Sequence, residues 1–215
     1  MFVFRGTSWV FAAVVLCALL HAYPAEATIT WYIGDKPGFD AAVVGLPQCF
    51  IDFEDPGLNV GDPITDQYPC VEFSSPYGIA ASDHGYGPPA IDTLCAAVGY
   101  DPVSAPYAAW TFTFPEPVWG TSLWIGDINF FPGQTELSVF DAASNLLGSG
   151  IVTRQGDWSF VGLLSDTKDI LRIDFQASSG DPGDAQAFDN VTVVPEPATL
   201  CLLALGGLAA IRRKR

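Results

Sequence analysis

The chain has 215 residues, with 24 Asp and Glu against 9 Lys and Arg and a net charge of −15 at pH 7. Such a surface repels nucleic acid and anionic lipid, and neither is expected as a partner. The length leaves room for one domain with a real core.

Met1–Ala27 reads as a secretory signal peptide. Arg5 supplies the positive n-region, Trp9–Leu20 the apolar h-region, and Ala25-Glu26-Ala27 an A-x-A cleavage site. The apolar run is too short for an uncleaved membrane helix, and Pro24 breaks any helix before the small residues. Cys17 does not make a lipobox, because Leu16 before it is bulky and the apolar run continues past it. The exported stretch Thr28–Val194 has 167 residues, with 22 acids against only Lys36, Arg154, Lys168 and Arg172, a net charge of −18.

This stretch reads as strand and turn. Ala109–Phe114 alternates with period two and puts Trp110, Phe112 and Phe114 on one face. Leu171–Gln176 does the same with Leu171, Ile173 and Phe175, and Phe188–Val193 less strictly. Further strands are expected at Thr28–Ile33, Phe50–Phe53, Val71–Ser74, Ser122–Ile128, Glu136–Phe140 and Ser159–Leu163, separated by Pro and Gly clusters. One short helix fits Gly38–Val44, where Phe39, Ala42 and Val43 have helical spacing. About nine short strands without helical crossovers predict an all-β, antiparallel β-sandwich, jelly-roll-like in connection. Residues 75–106 carry five prolines and read as a long loop excursion.

No catalytic constellation is visible. His21 leaves with the signal peptide and His84 stands alone in a Gly-rich loop, without a nucleophile elbow, zinc pair or phosphate loop. A non-catalytic role follows, and a pair of glycosidase carboxylates hidden among the 22 acids is the enzyme alternative. Cys49, Cys70 and Cys95 remain after both terminal segments are removed. Export permits a disulfide, expected here as Cys70–Cys95, which would pin the excursion; the alternative is three buried thiols. Trp119, Trp158, Tyr86 and Tyr100 fall near turns or in the excursion and are the candidate sugar-stacking aromatics, or else they cover sandwich edges. Trp110 and Trp124 lie in alternating strands and are expected in the core.

The chain closes with Pro195-Glu196-Pro197, a 14-residue apolar run Ala198–Ile211, and basic Arg212-Arg213-Lys214-Arg215. As a helix the run spans about 21 Å, short of the roughly 30 Å hydrocarbon core. The basic end stays cytoplasmic and the domain lies across the membrane. A glycolipid-anchor signal would need a polar spacer, and none precedes Val194. This tail, residues 195–215, resembles the PEP-CTERM sorting signal of Gram-negative envelope proteins. The resemblance implies an exosortase-type transpeptidase as partner, transient inner-membrane anchoring, and delivery to the cell envelope or extracellular matrix. A plain C-terminal anchor is the alternative.

Phe50-Ile51-Asp52-Phe53-Glu54, Thr65–Phe73 and Phe188-Asp189-Asn190-Val191 resemble the opening, second and closing strands of sandwiches found upstream of such tails. Those sandwiches are similar to carbohydrate-binding jelly rolls. The resemblance implies a structural or adhesive role, or recognition of a matrix or cell-surface glycan. It also implies a structural calcium between the first and last strands. Glu54 and Asp189 are the ligands carried over, with Asp35, Asp55 and Asp184 as additions; the alternative is solvated surface acids.

Overall fold

A computed structural model describes residues 27–54, 57–83, 94–98, 108–127, 132–155, 158–167, 169–179 and 186–195. Residues 1–26 of the signal peptide, residues 196–215 of the sorting tail, and candidate residues Asp55, Tyr86, Tyr100 and Asp184 lie outside them.

Alternation of apolar and polar side chains drives the architecture, because each strand must bury one face. The chain runs β1 (Ile29–Ile33), α1 (Lys36–Ala42), β2 (Cys49–Ile51), β3 (Glu72–Ser74), β4 (Ile79–Ser82), β5 (Cys95–Val98) and β6 (Ala109–Val118). It continues as β7 (Gly120–Asp127), β8 (Pro132–Phe140), β9 (Leu146–Gln155), β10 (Ser159–Ser165), β11 (Ile170–Ser179) and β12 (Gln186–Val194). The strands form two antiparallel sheets packed as a sandwich, as the period-two pattern predicts. One sheet has the order β1-β10-β7-β12-β5-β4, with β2 sharing the free flank of β12; the other has the order β3-β6-β11-β8-β9.

The inner faces meet in an aromatic core. Trp110, Phe112, Phe114, Phe73, Phe175 and Phe188 are each at most 1% exposed. Trp110 stacks on Phe175 at 4.9 Å with an interplanar angle of 3°, and Phe112 meets Phe188 edge-on at 5.1 Å. Rings of this size dominate the burial energy of a core and prefer such offset or edge contacts.

Several expectations need correction. The 75–106 excursion contains β4 and β5, which extend the first sheet beyond β12. Their short Ala-rich runs, Ile79-Ala80-Ala81-Ser82 and Cys95-Ala96-Ala97-Val98, carry too little side-chain contrast for a period to show. β9 was also hidden, because Gly148 and Gly150 interrupt its pattern; Trp31 of β1 lies over both glycines, where an added Cβ on Gly150 would meet its ring at 3.1 Å. In β11 the register shifts between Ile170 and Arg172, so Ile170 is buried at 0% while Leu171 is only half-buried.

The disulfide joins Cys49 to Cys70, not Cys70 to Cys95. Cys95 instead lies buried on β5, its thiol donating to the Ser82 carbonyl at 3.6 Å. Pairing was a matter of sheet order: β2 and the loop before β3 approach each other, whereas β5 lies on the far side of β2 along β12.

Candidate functional site

The outer face of the seven-stranded sheet carries the site. Along a strand, residues between core positions point outward. On β7, Leu123 and Ile125 face the core and Trp124 faces out; on β10, Val161 and Leu163 face the core and Phe160 and Gly162 face out. Cross-strand pairing then lines up one outer row: Tyr32, Gly162, Ser122, Thr192 and Phe50. Three small residues sit in the middle of that row.

Helix α1 closes one end. Asp35 is its N-cap, its Oδ1 accepting from Gly38 N–H at 2.9 Å, and Pro37 occupies the first turn, where its missing donor costs nothing. Phe39 and Val43 are buried on the sheet with Phe160 and Val194. Gly162 makes this seat: an added Cβ would lie 2.6 Å from the Phe39 ring. The observed Lys36–Ala42 begins two residues before the expected start.

What remains uncovered is a cleft of about 350 Å³ over Ser122 and Thr192. Its walls are Lys36 and Asp40 from α1, Phe50, Asp52 and Glu54 from β2 and beyond, Trp124 and Phe160 from the sheet, and Asp189 and Asn190 from β12. Trp124 and Phe160 meet edge to face at 5.5 Å. Phe50 is 58% exposed, an unusual position for a bare ring.

Two backbone distortions shape the acidic wall. Phe188 and Val191 both face the core, which a regular strand forbids for residues three apart. The register between β12 and β7 shifts between Asp189 and Thr192, and Asn190 takes φ 51°. This bulge places both Asp189 and Asn190 on the cleft. Phe53 has φ 59° and is fully buried, flanked by Asp52 and Glu54, which line the cleft. Among the described residues only one further non-glycine, Ser144, has positive φ. Such strain, of order 1–3 kcal/mol per residue, gathers at functional sites.

The acids are held in place. Asp189 is 1% exposed, and its Oδ1 accepts from Asn190 N–H at 2.6 Å. Glu54 Oε1 accepts from Leu94 N–H at 2.6 Å, and Asp52 Oδ1 accepts from Glu54 N–H at 3.2 Å. Lys36 Nζ pairs with Asp40 Oδ2 at 2.6 Å.

The sequence candidates divide accordingly. Glu54 and Asp189 share the cleft. Asp35 caps the helix. Among the described residues no three acidic, histidine or cysteine side chains gather to hold a metal, and Glu54 and Asp189 together supply fewer oxygens than the six to eight calcium takes. Trp119 packs against the helix-side cluster, and Trp158 lies flat over Gly126, where an added Cβ would meet its ring at 2.5 Å; neither lines the cleft. Trp124, read from alternation as core, does line it, because alternation says that a residue faces a sheet surface but not which surface is covered. Phe50, Asp52, Trp124, Phe160 and Asn190 were not singled out by sequence as cleft residues.

Residues 193–215 match the PEP-CTERM protein-sorting motif. The chain carries an export-sorting signal. Its exported protein is one that is processed at the membrane, as that motif implies. No curated protein matches the chain. Solved structures with a similar sandwich include a family 29 carbohydrate binding module, 11% identical with a TM-score of 0.41, covering 69% of this chain and 89% of that one. Another is the K2 cleaved adhesin domain of Lys-gingipain, 8% identical with a TM-score of 0.48, covering 69% and 99%. A third is TmCBM61 in complex with β-1,4-galactotriose, 14% identical with a TM-score of 0.41, covering 62% and 99%. Among the described residues no helix is long and apolar enough to cross a membrane.

Proposed function

We propose that this protein is an adhesive, non-catalytic module of a Gram-negative cell envelope or extracellular matrix, held briefly in the inner membrane by its tail and handled there by an exosortase-type transpeptidase. Its sandwich holds a glycan in the cleft over Ser122 and Thr192. The observation that carries this reading is the composition of the cleft. An exposed Phe50 ring and the Trp124 indole stand beside Asp52, Asp189 and Asn190 in one concavity. Sugars present an apolar C–H face and a rim of hydroxyls. Ring faces take the first, and carboxylate and amide groups take the second.

A glycan array probed with the protein tests this. Binding to a polysaccharide that is lost in Phe50→Ala supports it; no binding to any glycan would assign the sandwich to a purely structural role. Mass spectrometry of the mature protein tests the processing. It is expected to begin near Thr28 and end near Pro195-Glu196-Pro197, and a mature form retaining Arg212–Arg215 would leave a plain anchor.

A further inference from the structure

We infer that, before processing, the sandwich stands end-on on the membrane, with Val44, Leu46 and Trp119 held in the lipid headgroup layer. This rests on reading the tail as membrane-inserted. The chain enters and leaves the fold at one end. Val194 closes β12 fully buried, and its carbonyl accepts from Trp119 N–H at 2.9 Å. The Trp119 carbonyl accepts from Ser165 N–H at 2.8 Å, and Asp166 N–H donates to the Thr28 carbonyl at 3.2 Å. This row of backbone bonds runs from the last strand residue to Thr28, which follows the apolar N-terminal segment. Both apolar terminal segments therefore depart from the same end of the sandwich.

The chain has little length with which to stand off. Only Pro195, Glu196 and Pro197 separate Val194 from the apolar run, and three residues reach at most about 11 Å when fully extended. The run itself, about 21 Å as a helix, falls roughly 9 Å short of the hydrocarbon core. With its basic end held at the cytoplasmic face, a short span thins the bilayer and draws its other flank inward. That shortfall uses up the slack in the three residues and brings the end of the sandwich down to the headgroups. The side chains there suit the position. Val44 follows the helix C-cap and is 79% exposed, in the loop that leads to Cys49, which pairs with Val193. Leu46 and Trp119 are partly buried beside Val194. Tryptophan is favoured at the headgroup level, and a bare valine gains by leaving water. The tail supplies the attraction, so the acidic domain needs no affinity of its own for lipid.

The experiment places the exported chain, tail retained, in vesicles of dimyristoleoyl, dioleoyl or dierucoyl phosphatidylcholine, whose hydrocarbon cores thicken in that order. Flotation of the vesicles reads tail insertion, and hydrogen exchange of the floated chain, followed by mass spectrometry, reads contact. The reference is a variant with a Gly-Ser insertion of about eight residues between Val194 and Pro195, which adds roughly 16 Å of slack and leaves the tail itself unchanged. In the thickest bilayer, exchange over 43–48 is expected to be slower than in this variant by about tenfold, no more than the burial of one valine supports. The difference should shrink in the thinnest bilayer, where the apolar run falls less short. Residues 75–78 lie at the opposite end, beyond the Ser74–Thr111 pair, and should exchange alike in both chains. Exchange over 43–48 that ignores the insertion or the bilayer thickness, or equal slowing over 75–78, would overturn the end-on arrangement while leaving the tail reading intact. A chain that floats with none of the vesicles would overturn both.

Discussion

Asp189 and Asn190 are neighbours in a β-strand, and both line the same cleft. Consecutive strand residues normally point to opposite faces. The exception comes from the bulge at Asn190, whose φ of 51° lets Phe188 and Val191 both enter the core. Asn is one of the few residues that tolerate this conformation, because its short amide bonds locally. Here that amide lies 3.4 Å from Asp189 Oδ2.

Replacing Asn190 therefore separates backbone from side chain. Asn190→Gly should keep the fold within about 1 kcal/mol and lose the amide from the cleft. Asn190→Val should cost about 1–3 kcal/mol, because a branched Cβ is strained at positive φ. Urea denaturation of both variants checks the order; a Val variant as stable as the Gly variant would contradict the bulge.

Gly162 is the seat of the helix, with the Phe39 ring 2.6 Å from any added Cβ. Gly162→Ala should push Phe39 aside and cost about 1–3 kcal/mol as overpacking. Because α1 carries Lys36 and Asp40, the same change should weaken ligand binding. Thermal melting and calorimetry read the two effects, and a neutral variant would show that the helix gives way freely.

The Cys49–Cys70 bond closes a loop of separation 21. Chain-entropy arguments put its loss at about 3 kcal/mol. Reduction, or Cys49→Ala, should lower the urea midpoint accordingly. Cys95→Ala should leave the sensitivity to reductant unchanged; if it abolished that sensitivity, the pairing would be wrong.

At the β8–β9 turn, Asp141 is held below its ordinary carboxylate range. The Asn145 side-chain amide donates to it at 2.8 Å, with help from the Asn145 and Ala143 N–H groups at 2.7 and 2.8 Å. A depressed folded pKa contributes stability above the unfolded value, and this is lost as pH falls through the folded one. Carboxyl NMR should show Asp141 titrating below exposed Asp residues, and Asn145→Ala should move it upward.

Calcium remains a second proposal for the acids Glu54 and Asp189, with further oxygens needed from outside the described residues, where Asp55 and Asp184 lie. At 100 times its dissociation constant it would stabilise the fold by about 2.7 kcal/mol. Melting in EDTA and in millimolar calcium should differ by several degrees, and the difference should vanish in Glu54→Gln with Asp189→Asn. An unchanged melting temperature would remove the metal from the account.

The sorting tail, the all-β class and the core side chains Trp110, Phe112, Phe114, Ile173 and Phe175 could be read directly from the chain. These depend on local composition or on a period of two residues, and a strand's alternation is set by its own backbone. Glu54 and Asp189 were reached by resemblance, while the cleft that joins them was not legible. Its floor depends on Ser122 and Thr192 falling in register beside Gly162, the seat of the helix, across three strands, and register is a relation between segments far apart in sequence. The direction of Trp124 depended on which outer face α1 covers and how far. The bulge at Asn190 depended on Phe188 and Val191 both being drawn into one core. The disulfide followed sheet order, which placed Cys49 near Cys70 and kept Cys95 on the other strand along β12. Local pattern determined what each strand would bury; only packing of the two sheets and the helix decided which polar and aromatic side chains would be left together, uncovered, on the same surface.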